Sequence, residues 1–159
     1  MKVFVLWLAA AVVGIAASGG EQLRPLDEAG FRQLLGAQRG KVVLVDFWAT
    51  WCDPCRAEMP LLVSLEKKWR DRGFVLVTVS ADEPEQAGEA LAFLKKSGVR
   101  LPAWQKRTQS DESFINAIDR KWSGALPALF LYDRNGNKVQ SFIGETETSQ
   151  IEAALRKLL

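Results

Sequence analysis

Three features of the chain predict an α/β domain, a mixed central sheet flanked by helices. Two nearly continuous apolar runs, Val42–Trp48 and Phe74–Ser80, read as central strands covered on both faces. Between them, Asp53 to Arg72 places Leu61, Leu62, Leu65 and Trp69 on one stripe and Glu66, Lys67, Lys68 and Arg70 on another, the period of an amphipathic helix. Near the C-terminus, Leu129 to Tyr132 and Lys138 to Ile143 flank Asn135-Gly136, a strong signal for a tight hairpin. Strand, helix, strand, helix, then hairpin and helix is the order of a sheet sandwiched between helices.

The remaining elements follow in chain order. Leu26, Phe31, Leu34 and Leu35 have helical spacing, with Asp27 as the cap and Gly36 near the end, so a short helix packs on the sheet. The strand that follows carries one acidic residue, Asp46. After the second strand, Pro84 opens a helix containing Ala87, Leu91, Phe93 and Leu94, which Gly98 ends; its Leu91 and Leu94 stripe is core packing. Val99 to Trp104 reads as a short strand, and Ser110 with Ser113 starts a helix through Ile115, Ile118 and Trp122. Thr146 or Thr148 caps a last helix that turns Ile151, Ala154, Leu155 and Leu158 inward.

The chain's 159 residues, 48% of them hydrophobic, suffice for one packed domain and not for two of ordinary size. Its 21 basic and 19 acidic residues are spread along the chain, so no basic stripe points to nucleic acid. Lys2 precedes an apolar run from Val3 to Ala17, then Ser18, Gly19 and Gly20, the layout of a secretory signal. Because a spanning helix needs about 20 apolar residues, the run is marginal as a permanent anchor. Residues 1–19 are therefore expected to be a signal peptide or N-terminal membrane anchor, and residues 20–159 the folded domain. Any membrane contact is expected through this segment alone, and the destination is periplasmic or otherwise extracytoplasmic.

Cys52 and Cys55 are the only cysteines, one helical turn apart at the junction of strand and helix. There the first backbone N–H groups of the helix lack internal partners and, with the helix dipole, stabilise an anion. A thiol there drops from its free pKa of about 8.5 toward neutrality. A thiolate attacks disulfides, and a second thiol at i+3 can resolve the mixed disulfide. Zinc needs four ligands; with no histidine and no third cysteine, this pair cannot build a self-contained structural site. As a staple the pair would close a very small loop, which removes little entropy from the unfolded chain. The residues thus point to a redox dithiol, and no cofactor or metal is expected. Asp46, buried and unpaired in its strand, should hold its proton far more tightly than an ordinary carboxyl group; at a strand end it would instead be solvated.

The run Val45-Asp46-Phe47-Trp48-Ala49 to Trp51-Cys52-Asp53-Pro54-Cys55, with Pro60 beyond it, resembles the active site of the thioredoxin superfamily. Gly124 to Tyr132 is similar to the segment that carries the family's cis-proline, at Pro127. The long middle, the export-like start and Glu58-Met59-Pro60 narrow the resemblance to TlpA/ResA-like thiol-disulfide oxidoreductases. The resemblance implies a thioredoxin fold with a helical insertion in the middle of the chain, and with Cys52 attacking, Cys55 resolving and Asp46 moving the proton of Cys55. Trp51, Asp53, Pro54 and Pro127 would support the site, with Trp51 and Leu126 against an extended substrate chain. Asp53 should disfavour the Cys52 thiolate, and Trp48 and Trp51 should shield the sulfurs, while Trp69, Trp104 and Trp122 are core. Asp82 and Glu83 follow the second strand, where some relatives carry an acidic residue, although acids at such places are ordinarily solvated.

The implied partners are protein disulfides or dithiols, with a membrane-bound thiol reductase as electron donor and a haem-attachment cysteine pair of an apocytochrome c as one substrate. Alternatives from other classes are a dithiol oxidant, a thiol peroxidase or redox sensor, and a copper-handling module. Peroxiredoxins place their cysteine in a Thr-x-x-Cys setting, whereas Thr50 precedes Cys52 by two residues. The lack of histidine and the presence of only two methionines weigh against copper.

Overall fold

The structure, a computed structural model, describes residues 22–159. The export-like segment expected over residues 1–19 lies outside the described residues. Six strands form one sheet in the order β1-β4-β3-β2-β5-β6. They are β1 (Arg24–Leu26), β2 (Val42–Trp48), β3 (Phe74–Ser80), β4 (Trp104–Lys106), β5 (Ala128–Tyr132) and β6 (Lys138–Ile143). The first four are parallel, whereas β5 runs antiparallel to both β2 and β6. The mixed sheet is as the sequence predicts.

Alternation along β2 and β5 sorts side chains onto two faces. Val42, Leu44, Trp48, Leu129 and Leu131 join a core with Met59, Leu62 and Leu65 of α2 (Asp53–Trp69), Leu94 of α3 (Ala87–Ser97) and Ile151 of α5 (Thr148–Arg156). Val43, Val45, Phe47, Phe130 and Tyr132 face the other way, toward Phe31 and Leu34 of α1 (Glu28–Ala37) and Phe114 and Ile118 of α4 (Asp111–Ile118). On this second face Phe47 meets Phe114, Phe130 and Trp122 at centroid separations of 6.1, 5.7 and 4.9 Å. Each such pair adds about 0.5–1.5 kcal/mol beyond area burial, so the α4 side is held by aromatic contacts. Asp46 belongs to the first face by parity, beneath α2.

Several expectations need correction. Leu26 lies in β1, not in the first helix, because a three-residue edge strand is too short to show a period. Asp27 does cap α1, its carboxylate accepting from the Gly30 N–H at 2.7 Å. The strand expected at Val99 to Trp104 begins only at Trp104, after a cis Leu101-Pro102 peptide. Trp122 lies beyond the end of α4 at Ile118, although it is buried. Glu147 occupies the cap position of α5, and neither Thr146 nor Thr148 bonds there as a cap. On α2, Leu61 faces solvent while Glu66 is buried and meets Arg100 at 3.7 Å, so the inward stripe is rotated from the one expected. The last turn, Arg70–Arg72, is a 3-10 helix.

Candidate active site

Between β2 and α2 the chain makes one turn, closed by the Cys52 N–H donating to the Ala49 carbonyl at 3.1 Å. Cys52 then serves as the N-cap of α2, its sulfur accepting from the Cys55 N–H at 3.4 Å. Pro54 fits the first helical turn, where a missing N–H costs nothing. Cys52 and Cys55 are joined as a disulfide, and both are buried. Trp51, by contrast, is 65% exposed and projects beside them. It is therefore no lid over the sulfurs: Trp48, fully buried against Phe93 at 5.1 Å and in the same core cluster as both cysteines, supplies that packing. Trp69 and Trp104 are only partly buried, and Trp122 alone of the three is a full core residue.

The Leu126-Pro127 peptide is cis. Two hollows open at this lip. One, of about 270 Å³, is lined by Trp51, Leu126, Phe114, Ile115 and Trp122 among others. The other, of about 340 Å³, is lined by Pro54, Pro127, Glu58, Leu61, Glu145 and Glu147 among others. The fold thus brings Trp51 to Leu126 and Pro54 to Pro127, residues some 75 positions apart in sequence.

Asp46 is 1% exposed, and its Oδ2 has no hydrogen-bond partner. Burial pushes its carboxyl well above the ordinary range, and the charge of Glu58 pushes it further the same way. Glu58, which the sequence marks only as part of Glu58-Met59-Pro60 and to which it assigns no role, joins the site here. It lies one turn after Cys55 on α2, is 8% exposed, and leaves both carboxyl oxygens unpartnered. Burial, then the charge of Glu145, raises its pKa to about 7. The signal was present, since i+3 from a functional cysteine is the same helix face, but a glutamate in an amphipathic helix ordinarily reads as solvated.

Asp53 is different: its side chain is 93% exposed and lies 3.8 Å from Arg56. Water and the arginine screen it from the sulfurs, so the tuning expected of it is weak. Asp82 reverses its expectation. Its side chain is buried, and accepts from the Thr50 N–H at 3.0 Å, the Thr50 hydroxyl at 2.7 Å and the Ser80 hydroxyl at 2.7 Å. Only Glu83 of that pair is exposed.

The site thus combines a buried disulfide at a helix start, a neighbouring cis-proline and two buried carboxyl groups whose pKa values are raised. An AhpC/TSA family model matches residues 25–141. The chain belongs to the AhpC/TSA family. It is 33% identical over 120 residues to the thiol-disulfide oxidoreductase ResA of Bacillus thuringiensis (strain Al Hakam), an alignment covering 76% of this chain and 65% of ResA. The ResA of Geobacillus kaustophilus is 32% identical over 132 residues, covering 83% of this chain and 71% of that protein. Among solved structures, a thiol:disulfide interchange protein of the thioredoxin family from Chlorobium tepidum TLS superposes with a TM-score of 0.65 at 27% identity, covering 77% and 83% of the two chains. The thioredoxin fold and the ResA-like affinity are thereby established. The chain spans about 65% of the length of the first of these relatives.

Proposed function

We propose that this protein is an exported thiol-disulfide oxidoreductase that reduces disulfides in other exported proteins. The observation that carries the reading is the Cys52–Cys55 disulfide at the start of α2, with Glu58 one turn further along the helix and Asp46 in the strand before it, both buried, and with Asp46 Oδ2 and both Glu58 oxygens unpartnered. Two electrons turn the disulfide into the working dithiol. The Cys52 thiolate, stabilised at the helix N-terminus, attacks one sulfur of a substrate disulfide and releases the other as a thiolate. Cys55 passes its proton to the Asp46–Glu58 pair and attacks the Cys52 sulfur of the mixed disulfide. The second substrate thiolate leaves, protonated from the pair or from water, and the Cys52–Cys55 disulfide is restored. The substrate chain lies against Leu126 and Pro127, with Trp51 and Pro54 on the facing side.

The apolar run from Val3 to Ala17 supports export, as a signal or an anchor, to the periplasm or its equivalent. Among the described residues no helix is long and apolar enough to cross a membrane. A membrane-bound thiol reductase would supply electrons, and the haem-attachment pair of an apocytochrome c is the substrate the ResA resemblance favours. Insulin reduction tests the activity, and the reduction potential of the pair tests its direction: the reading expects the reducing half of the range from about −270 to about −120 mV, and a value above about −160 mV reverses it. Cys55→Ser should trap mixed disulfides with substrate while Cys52→Ser traps few or none. Rapid alkylation of Cys55 with Cys52 protected at neutral pH would sink that order.

A further inference from the structure

We infer that Asp82 is a positioning residue for the reactive cysteine, gripping the Ala49–Cys52 turn through Thr50. The inference rests on the oxidoreductase reading above, and no step of that reading uses Asp82.

Thr50 and Trp51 are the two central residues of the turn that delivers Cys52 to the N-cap of α2. Nothing within β2 fixes this turn, since the strand ends at Trp48. Asp82 does so from a different strand. Both of its oxygens lie within 3.0–3.1 Å of the Thr50 N–H, and Oδ1 also accepts from the Thr50 hydroxyl at 2.7 Å. The carboxylate is itself held. Ser80 donates to Oδ2 at 2.7 Å, and the Ser80 oxygen accepts from the Asp82 N–H at 3.0 Å. Behind it, Gln105 of β4 donates through Nε2 to the Asp82 and Glu83 carbonyls at 3.0 and 2.8 Å. Gln105, Asp82, Ser80 and Thr50 are all buried, so water does not substitute for these bonds. Removing one partner leaves buried donors unmade. The consequence falls on Cys52, because its sulfur profits from the helix N-terminus only while the turn holds it at the cap.

Grip and charge predict opposite signs, which makes the inference testable. Loosening the turn withdraws Cys52 from the helix N-terminus and raises its thiol pKa. Removing a buried negative charge alone would lower it. Thr50→Val deletes the hydroxyl bond and keeps the charge; Asp82→Ala deletes every bond from Thr50 to the carboxylate, and the charge with them. Asp82→Asn deletes the charge but can still accept from Thr50 and donate to Ser80. The measurement is the pH profile of iodoacetamide alkylation of Cys52 in each reduced, folded variant, beside its melting temperature. Asp82→Ala should move the midpoint up by roughly one unit, roughly tenfold less thiolate at pH 7, and slow insulin reduction accordingly. Thr50→Val should move it up by less, and Asp82→Asn should not move it up.

Lower melting temperatures with unmoved midpoints would reduce Asp82 to a structural residue. A midpoint that falls in Asp82→Ala and stays still in Thr50→Val would make it a charge rather than a clamp. If Asp82→Ala does not fold, the Thr50→Val midpoint decides alone. Failure of wild-type protein to reduce insulin would strike the proposed function instead, and leaves the alkylation profile to judge the clamp.

Discussion

Asp82 and the Asp46–Glu58 pair are buried carboxyl groups on two sides of the same junction, one before the disulfide and the other beneath the helix after it. Asp82 accepts from three donor groups, Thr50 N–H, Thr50 hydroxyl and Ser80 hydroxyl. Asp46 Oδ2 and both oxygens of Glu58 accept from none. Burial costs a carboxylate several kcal/mol unless hydrogen bonds replace its water. Where donors are supplied, the group is a fixed anchor; where they are withheld, the carboxyl holds its proton more tightly than in water and, on the proposed function, carries it. Similar burial therefore yields two functions, divided by the hydrogen-bond inventory.

The largest effect should come from removing the two carboxyl groups proposed to carry the proton. Asp46→Asn together with Glu58→Gln keeps both shapes and removes both acceptors, so resolution of the mixed disulfide by Cys55 should slow about 10²-fold or more. Asp46→Asn alone should be at least as stable as wild type and slower in the same step. The check is single-turnover resolution of a preformed mixed disulfide from pH 6 to 9. Because Glu58 sits at about pKa 7, the wild-type rate should climb as pH rises through 7, and the climb should vanish in Glu58→Gln. Glu145 is the acidic group whose charge raises Glu58, so the Glu58 midpoint should fall when Glu145 is neutralised. Unchanged resolution in Asp46→Asn over the whole range would withdraw its role.

The same contrast has a smaller signature in stability. Glu58 is raised from 4.5 to about 7 on folding. Between those values the unfolded chain sheds a proton that the folded chain keeps, so stability falls as pH rises through this window and levels off above 7. Glu58→Gln should thus match wild type below about pH 4 and exceed it by about 2 kcal/mol above pH 7, a figure discounted for the face of the site open to water. Urea denaturation of the oxidised proteins at pH 4 and 8 measures both ends. Equal stabilities at pH 8 would mean that Glu58 is solvated in the folded state.

How far the site could be read from the chain follows the same division. The disulfide, α2, the central strands and the hairpin were legible because each rests on a local pattern: a three-residue spacing, a 3.6-residue period, an apolar run, an Asn-Gly turn. Asp46 was legible because an acid inside an apolar run has no local partner. Glu58 was half-legible, its spacing from Cys55 pointing inward and its residue type pointing outward. Asp82 was misread, because its principal partner, Thr50, stands 32 residues away and no local rule brings the two together. The three-residue strands β1 and β4 failed likewise, as their existence depends on register with neighbouring strands, β1 with β4 and β4 also with β3, rather than on their own sequences.

Asp53 should give the smallest effect of all, and it bounds the argument from the outside. By sequence it stands beside the reactive cysteine and should oppose its thiolate. In the fold its side chain is almost wholly in water, with Arg56 3.8 Å away. A charge in that setting acts through a high dielectric and is screened further by salt. Asp53→Asn should therefore lower the Cys52 alkylation midpoint slightly at low ionic strength, and the difference should vanish near 0.5 M salt. The neutralised Glu58 should by contrast keep its effect on resolution at that salt, because a buried group is screened much less. If Asp53→Asn instead moves the midpoint by as much as Asp82→Ala and keeps doing so at high salt, exposure is not what separates weak from strong carboxyl groups here. The division by burial and hydrogen bonding would then have to be replaced by one based on distance to the sulfur.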